Sequence, residues 1–555
     1  MVRRGRVLIL SETFDTREEG DARMVTSRII TNGTIATMDP NRPTAEAVGM
    51  IGDRIVAVGN RAMVESALPR GYTTLDLGGR FAMPGFNEAH NHMLIYGLNL
   101  GQINASYPNV RTIEDIKALV AERAAATPEG TWITGWGYDD NKLDERRHPT
   151  RHDWDAVAPN HPVMIVNGSG HLSSVNSLAL QLAGLTRDSV DPQGGHYVRD
   201  EHGEMTGVLH ESAQDAVRNV VPAPTVEDYV EAAERCSQAY VAAGITSSQD
   251  AMSLTMEEVA AFQIASREGK LKPRTSLMIR ETLLPHIVGL GMQQGFGNDR
   301  LKIGPIKLFI DGSLIGRTAA VTQPFLEDPV DGNLGLTMMP QEDLDNYVMQ
   351  AHKAGFQIAI HAIGDRGIDM VLDAYEKALT AYPRANHRHR IEHCGIMRPD
   401  IVERIARMQV LIVTQPIFIT EYGDGFIRHL GLDRVQLTYP FRSLLDAGIT
   451  VVFSSDCPVS SFEPLKSIEV SVTERTGSGQ SYALEEAISV EEALPLYTVN
   501  GAYATFEEDQ KGMLREGMLA DFVVLERDPR TVEPEEISNV PVSQTIIGGE
   551  TVYEG

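Results

Sequence analysis

The chain has 555 residues, 42% of them hydrophobic and 23% charged, with a formal net charge of -27. That length predicts more than one domain, and the composition is that of a soluble globular protein. The acidic balance excludes polyanionic partners, nucleic acid and anionic membranes alike. Three cysteines, Cys236, Cys394 and Cys457, are too few for a disulfide framework and read as small core residues.

Residues 1–25 are polar and unpatterned and read as an N-terminal extension. Arg3, Arg4 and Arg6 precede the apolar run Val7 to Leu10, which is too short for a signal-peptide core. No stretch approaches the roughly 20 apolar residues of a membrane span, so a cytoplasmic location is expected. Residues 26–80 alternate short strands with turns, and Asn32-Gly33 and Gly52-Asp53 are hairpin-turn dipeptides. Residues 505–555 do the same, in Ala520-Asp521-Phe522-Val523-Val524-Leu525 and again from Thr545 to Val552. The two ends are expected to pair into one small composite β-sandwich domain.

Between them, residues 81–504 carry a repeating unit in which an amphipathic helix ends at Ala-Gly and a buried strand follows. Ala243-Gly244, Ala354-Gly355 and Ala447-Gly448 are the three clearest stops. Thr225 with Asp228 makes a capping box before the helix that ends at the first of them. Candidate strands fall at about 82–90, 245–250, 274–280, 304–311, 356–361, 389–394, 410–415 and 449–456. This alternation predicts an α/β fold, a distorted (β/α)8 TIM barrel, with a doubly wound open sheet as the alternative. Residues 100–240 are too many for a βα loop and predict an inserted α/β subdomain after barrel strand 1.

In a barrel of this type the chemistry sits at the carboxyl ends of the strands. His90 and His92 lie there on strand 1, two residues apart, so both imidazoles can face one metal ion. Lys307 interrupts the apolar strand Pro305-Ile306-Lys307-Leu308-Phe309-Ile310-Asp311. A buried ammonium must be compensated. Either it pairs with Asp311 or another carboxylate, or carbon dioxide converts it to a carbamate that can bridge two divalent ions. His361 ends strand 5, His393 ends strand 6 and Asp456 closes strand 8. Imidazoles suit zinc and similar ions. Asp456 is placed to touch a metal and to act as the catalytic general base, then acid, for a metal-activated hydroxide. These residues together argue for a metal-dependent hydrolase with one or two divalent ions, zinc first among them.

Their order and spacing resemble the amidohydrolase superfamily. Pro84-Gly85-Phe86-Asn87 before the His-x-His pair, Lys307 to Ser313, His361-Ala362-Ile363-Gly364-Asp365, Ile391-Glu392-His393, Ser455-Asp456 and, in the insertion, Ser169-Gly170-His171-Leu172 look like its YtcJ-like branch, amidohydrolase family 3. That branch includes N-substituted formamide deformylases. The resemblance implies a two-metal hydrolase of C–N bonds, with His90, His92 and Asp456 on one ion, His361 and His393 on the other, and Lys307 between. Glu88 departs from the aspartate usual at its position. A one-metal site with unmodified lysine stays open.

The substrate expected is a small molecule carrying a non-peptide amide, such as an N-substituted formamide or an N-acyl amine. Cyclic amides, carbamates and esters suit the same machinery. A deaminase of the same superfamily and a non-enzymatic scaffold are the rival readings; the bridging-type lysine speaks against the first and the complete ligand set against the second. His171, Trp136 and Tyr138 on the insertion and Arg317 after strand 4 are the candidate substrate-binding residues. A homodimer is expected.

Overall fold

The computed structural model describes residues 26–168, 170–326 and 332–555. The expected N-terminal extension and Ser169 lie outside the described residues.

Eight parallel strands form the barrel: Phe86–Asn91, Ile245–Ser253, Arg274–Arg280, Leu301–Phe309, Ile358–Ala362, Arg390–His393, Leu411–Thr414 and Val451–Phe453, here barrel strands 1 to 8. Each pairs with the next in chain order. Backbone hydrogen bonds just past strand 8 return to strand 1 and its following residue, where the His92 N–H donates to the Cys457 carbonyl at 2.7 Å. The strands are buried at nearly every residue, as a parallel sheet under a ring of helices requires; strands 5, 7 and 8 are mostly apolar, whereas strands 1 and 2 are rich in buried polar side chains. Gly244, Gly355 and Gly448 all sit at positive φ (81°, 87° and 71°), the left-handed conformation that ends each helix and releases the chain into the next strand.

Strand 1 differs from the expectation. Phe81–Pro84 and Phe86–Asn91 are separate strands in separate sheets, broken at Gly85. A Cβ at Gly85 would run into the Thr246 side chain, so only glycine lets the chain turn from one sheet to the other this close to strand 2.

Phe81–Pro84 belongs to an eight-stranded sheet built from both ends of the chain, in which it pairs antiparallel with Phe522–Leu525. One face of that sheet packs Ile30, Val48, Leu77, Phe522 and Ile546 together. The other packs Ile29, Ala47 and Ala57 against Val64 of the helix Arg61–Ala67. Gly52-Asp53 makes the expected hairpin between Thr44–Ile51 and Arg54–Gly59. Asn32-Gly33 does not: it lies inside the strand Ser27–Ala36, at a shift in register between Thr31 and Ile35, with Asn32 at φ 65°. The dipeptide that suits a hairpin also suits a bulge, because both need a left-handed residue. This sheet is pinned to the barrel by Arg274 on strand 3, whose guanidinium donates twice to the buried Asp521 carboxylate, at 2.5 and 3.0 Å.

The insertion follows the helix Met93–Leu100 and holds a six-stranded mixed sheet, covered by the helices Ile113–Ala126, Arg151–Asp155 and Ser177–Leu182. The capped helix Val226–Ala242 sends Val230, Ala233, Cys236 and Tyr240 into the barrel core, so the chain has returned to the barrel by Val226. Its N-terminus carries the expected capping box of Thr225 and Asp228.

Candidate metal centre

The six expected ligand-type residues converge at the carboxyl end of the barrel. Ligand atoms of His90, His92 and Asp456 lie within 4.8 Å of one another. His92 Nε2 lies 3.0 Å from Asp456 Oδ1. Lys307 Nζ lies 3.3 Å from His90 Nε2. The His90 and His393 rings are 4.8 Å apart between centroids, and those of His393 and His361 are 4.5 Å apart. The backbone is bent to achieve this: His393 (φ 70°) and Asp456 (φ 63°) both take the left-handed conformation that non-glycine residues rarely adopt.

Three of the imidazoles have their tautomer set by an oxygen acceptor, that of Gln415 being turned towards its ring because the amide nitrogen donates to Ser454 Oγ at 2.8 Å. His90 Nδ1–H donates to Glu392 Oε2, His393 Nδ1–H donates to Gln415 Oε1 at 2.8 Å, and His361 Nε2–H donates to the Gly312 carbonyl at 3.0 Å. The opposite ring nitrogen of each then presents a lone pair. Burial first, then the nearby Lys307, holds His90 well below the ordinary histidine value; burial then Lys307 hold His361 down at about 3. Burial and the His361 and His90 rings do the same to His393. All three are neutral donors at physiological pH. His90 Nε2 and Asp456 Oδ1 are 3.4 Å apart, a lone pair facing a carboxylate oxygen, which is a repulsive arrangement until a cation lies between them. The donor set therefore fits a divalent ion of the zinc type.

Lys307 is fully buried, and among the described residues no carboxylate lies within 4.0 Å of its nitrogen. Burial pushes its pKa down to about 8. Asp311, the partner considered for it, is engaged elsewhere: it accepts backbone N–H groups from Ile363, Gly364 and Ala320 at 2.8 to 3.0 Å. Glu88, the departure from the family pattern, is fully buried. It accepts the His90 and Ser455 backbone N–H groups at 3.2 and 3.0 Å, and burial raises its pKa to about 8. Its longer arm thus ties strand 1 to strand 8 behind the ligands.

Sequence reasoning missed Glu392 and Gln415 as ligand supports. The signal for Glu392 was present: Arg390 and Glu392, two residues apart on a buried strand, share a face and pair there.

The four candidate substrate-binding residues are not gathered in the same way. Tyr138 is a correction: it is fully buried in the insertion core beside Trp154, with its hydroxyl 3.4 Å from His148 Nδ1, and so packs within the insertion instead of lining a pocket. Trp136, its neighbour but one on the strand Ile133–Tyr138, faces the opposite way and is exposed. His171 is exposed, 2.9 Å from Glu211 Oε2. Arg317 sits at φ 54° in the loop after strand 4, its carbonyl accepting from Asn333. Among the described residues, none of the four shares a hydrogen bond, ion pair or ring contact with the histidine cluster.

A (β/α)8 barrel with this constellation at its carboxyl end defines a metal-dependent hydrolase. The amidohydrolase family profile matches residues 73–553, and the chain belongs to that family. It is 31% identical to the protein YtcJ of Bacillus subtilis (strain 168) over 86% of this chain and 90% of that one. It is 29% identical to the N-substituted formamide deformylase of Arthrobacter pascens over 95% of this chain and 98% of that one. A solved structure of an uncharacterized metal-dependent hydrolase from Pyrococcus furiosus superposes with a TM-score of 0.76 at 30% identity, covering 91% of this chain and all of that one. Among the described residues, no helix is long and apolar enough to cross a membrane.

Proposed function

We propose that the protein hydrolyses a non-peptide amide bond of a small molecule, an N-substituted formamide or N-acyl amine, with one or two zinc-type ions held by His90, His92, His361, His393, Lys307 and Asp456. The observation that carries this reading is the His90, His92 and Asp456 trio, with ligand atoms within 4.8 Å of one another beside a buried lysine. The similarity to an N-substituted formamide deformylase along nearly the whole chain supports the amide class.

When bound, a divalent ion supplies polarisation of the carbonyl oxygen and lowers the pKa of a coordinated water to about 7. Asp456 takes the proton from the attacking water and returns it to the leaving nitrogen, which lets an amine depart instead of an amide anion. Its backbone, locked by a hydrogen bond to strand 1, keeps that carboxylate beside His92. Lys307, with its pKa brought to about 8 by burial, keeps a share of neutral amine near neutral pH. That amine reacts with carbon dioxide, forming an N–C bond and losing one proton, to give an anionic carbamate able to bridge two ions.

The test is a panel of N-substituted formamides, N-acyl amines, cyclic amides, carbamates and esters, offered to zinc-loaded protein with free amine as the readout. Amine release from the first two classes, absent in Asp456→Asn, is the expected result. Hydrolysis of esters alone, or ammonia released from an aromatic amine, would overturn the amide assignment.

A further inference from the structure

We infer that Glu392, gripped by Arg390, is a positioning residue that holds His90 in the one tautomer able to bind a metal ion. The inference rests on the metal-centre reading above.

The Glu392 carboxylate can only accept from His90 Nδ1, so the ring proton stays there and the Nε2 lone pair turns towards Lys307 and Asp456, 3.3 and 3.4 Å away. Arg390 fixes that carboxylate with a two-bond fork, from Nε to Oε1 and from Nη2 to Oε2. The remaining donors of the guanidinium go to Gln249 Oε1 at 2.5 Å and to the Ala89 carbonyl at 2.8 Å. Ala89 directly precedes His90, so one side chain on strand 6 orients both the ring and the backbone of a ligand on strand 1, and braces them against strand 2.

Packing alone does not account for the pair. Arg390 and Glu392 are both completely buried, and taking two charges out of water costs more than their attraction returns unless the geometry is very good. Apolar side chains of similar volume would fill the same space. The neighbouring imidazoles manage with neutral acceptors, Gln415 for His393 and the Gly312 carbonyl for His361. A carboxylate behind His90 adds what those acceptors do not: it raises the basicity of Nε2 and strongly disfavours the alternative tautomer.

The experiment is zinc affinity of metal-stripped protein by chelator competition, together with its melting temperature, for wild type, Glu392→Gln and Asp521→Asn. In E392Q the negative charge is lost and one end of the side chain becomes an N–H2 that must face a guanidinium donor, so the Arg390 fork is broken and the Nδ1–H tautomer of His90 is no longer enforced. D521N weakens the other buried arginine–carboxylate pair, between barrel and composite sheet, and serves as the control. Both variants lower the melting temperature, but zinc affinity falls about 10- to 100-fold in E392Q and stays at the wild-type value in D521N. Wild-type zinc affinity in folded E392Q would overturn the inference and leave the pair a packing feature. Should E392Q fail to fold, Arg390→Lys, which keeps a cation but loses the fork, is expected to lose affinity severalfold, and wild-type affinity there overturns the inference equally. A wild type that binds no zinc sinks the metal-centre reading itself, which is a different result from an insensitive E392Q.

Discussion

The backbone N–H of Asp456 donates to the carbonyl of His90 at 2.8 Å, so two of the proposed ligands, from the last and first barrel strands, are hydrogen-bonded through their main chains. The barrel seam and the metal centre are thus one piece of structure. A shift of either strand end would displace both ligands together, which is why the site tolerates left-handed backbone at Asp456.

Asp456→Asn preserves that backbone contact and the side-chain volume while removing the proton acceptor. Turnover is expected to fall about 100- to 10,000-fold, with the melting temperature of the metal-stripped protein close to wild type. Steady-state kinetics beside a thermal melt separate the two effects. An active Asp456→Asn would move the proton-transfer role to another group.

Lys307→Ala removes the buried nitrogen 3.3 Å from His90 Nε2. If its carbamate bridges two ions, elemental analysis finds close to two metal ions per chain in wild type and a sharp drop in the variant. Equal metal content in the two proteins would make Lys307 an unmodified neighbour of a one-metal site.

Three further histidines form a chain near the amino-terminal end of the barrel. Ile358 N–H donates to His389 Nδ1, so His389 Nε2–H donates to His352 Nδ1 at 2.9 Å, and His352 Nε2–H donates to the Tyr382 carbonyl at 2.7 Å. His387 accepts the His389 backbone N–H and donates to the Met408 carbonyl. Burial lowers the pKa of all three from the ordinary 6.5. The unfolded chain therefore binds more protons than the native one as pH falls below about 6.5. Their stabilisation is complete above that value and is lost progressively below it. The melting temperature of metal-stripped protein should decline between pH 7 and pH 5, and less steeply in His389→Asn. Identical slopes would contradict this assignment.

Gly97 lies on the helix that leaves His92, against the helix Val226–Ala242. A Cβ there would run into the Ala232 carbonyl. Alanine gains about 1 kcal/mol of helix propensity, but overpacking against rigid backbone costs about 1–3 kcal/mol. The steric cost wins, so Gly97→Ala lowers the melting temperature; a rise would show that the two helices can part without penalty.

The barrel was legible because each Ala-Gly stop is followed at once by a strand-forming run, apolar after Gly355 and Gly448 and rich in Thr and Ser after Gly244, a pattern that survives without any tertiary information. His361, His393 and Asp456 were legible because a polar side chain at the end of such a strand has few places to go. Lys307 stood out as a charge inside one. What the sequence concealed is where local rules fit two outcomes. Asn32-Gly33 serves a bulge as well as a hairpin. Tyr138 and Trp136, two residues apart, part company because Gly137, at φ 97°, breaks the alternation between them. Glu392 sat unread beside His393, its meaning set by strand 1, which lies some 300 residues earlier in the chain.

If this barrel end is a metal centre that performs hydrolysis, bound metal and activity stand or fall together. The most direct measurement is metal content per chain, with amide hydrolysis followed through chelation and reconstitution with zinc. At least one divalent ion per chain, loss of hydrolysis with the chelator and its return with zinc are the expected results. Hydrolysis indifferent to chelation, in a protein that holds no metal before or after zinc is added, would contradict the metal-centre reading.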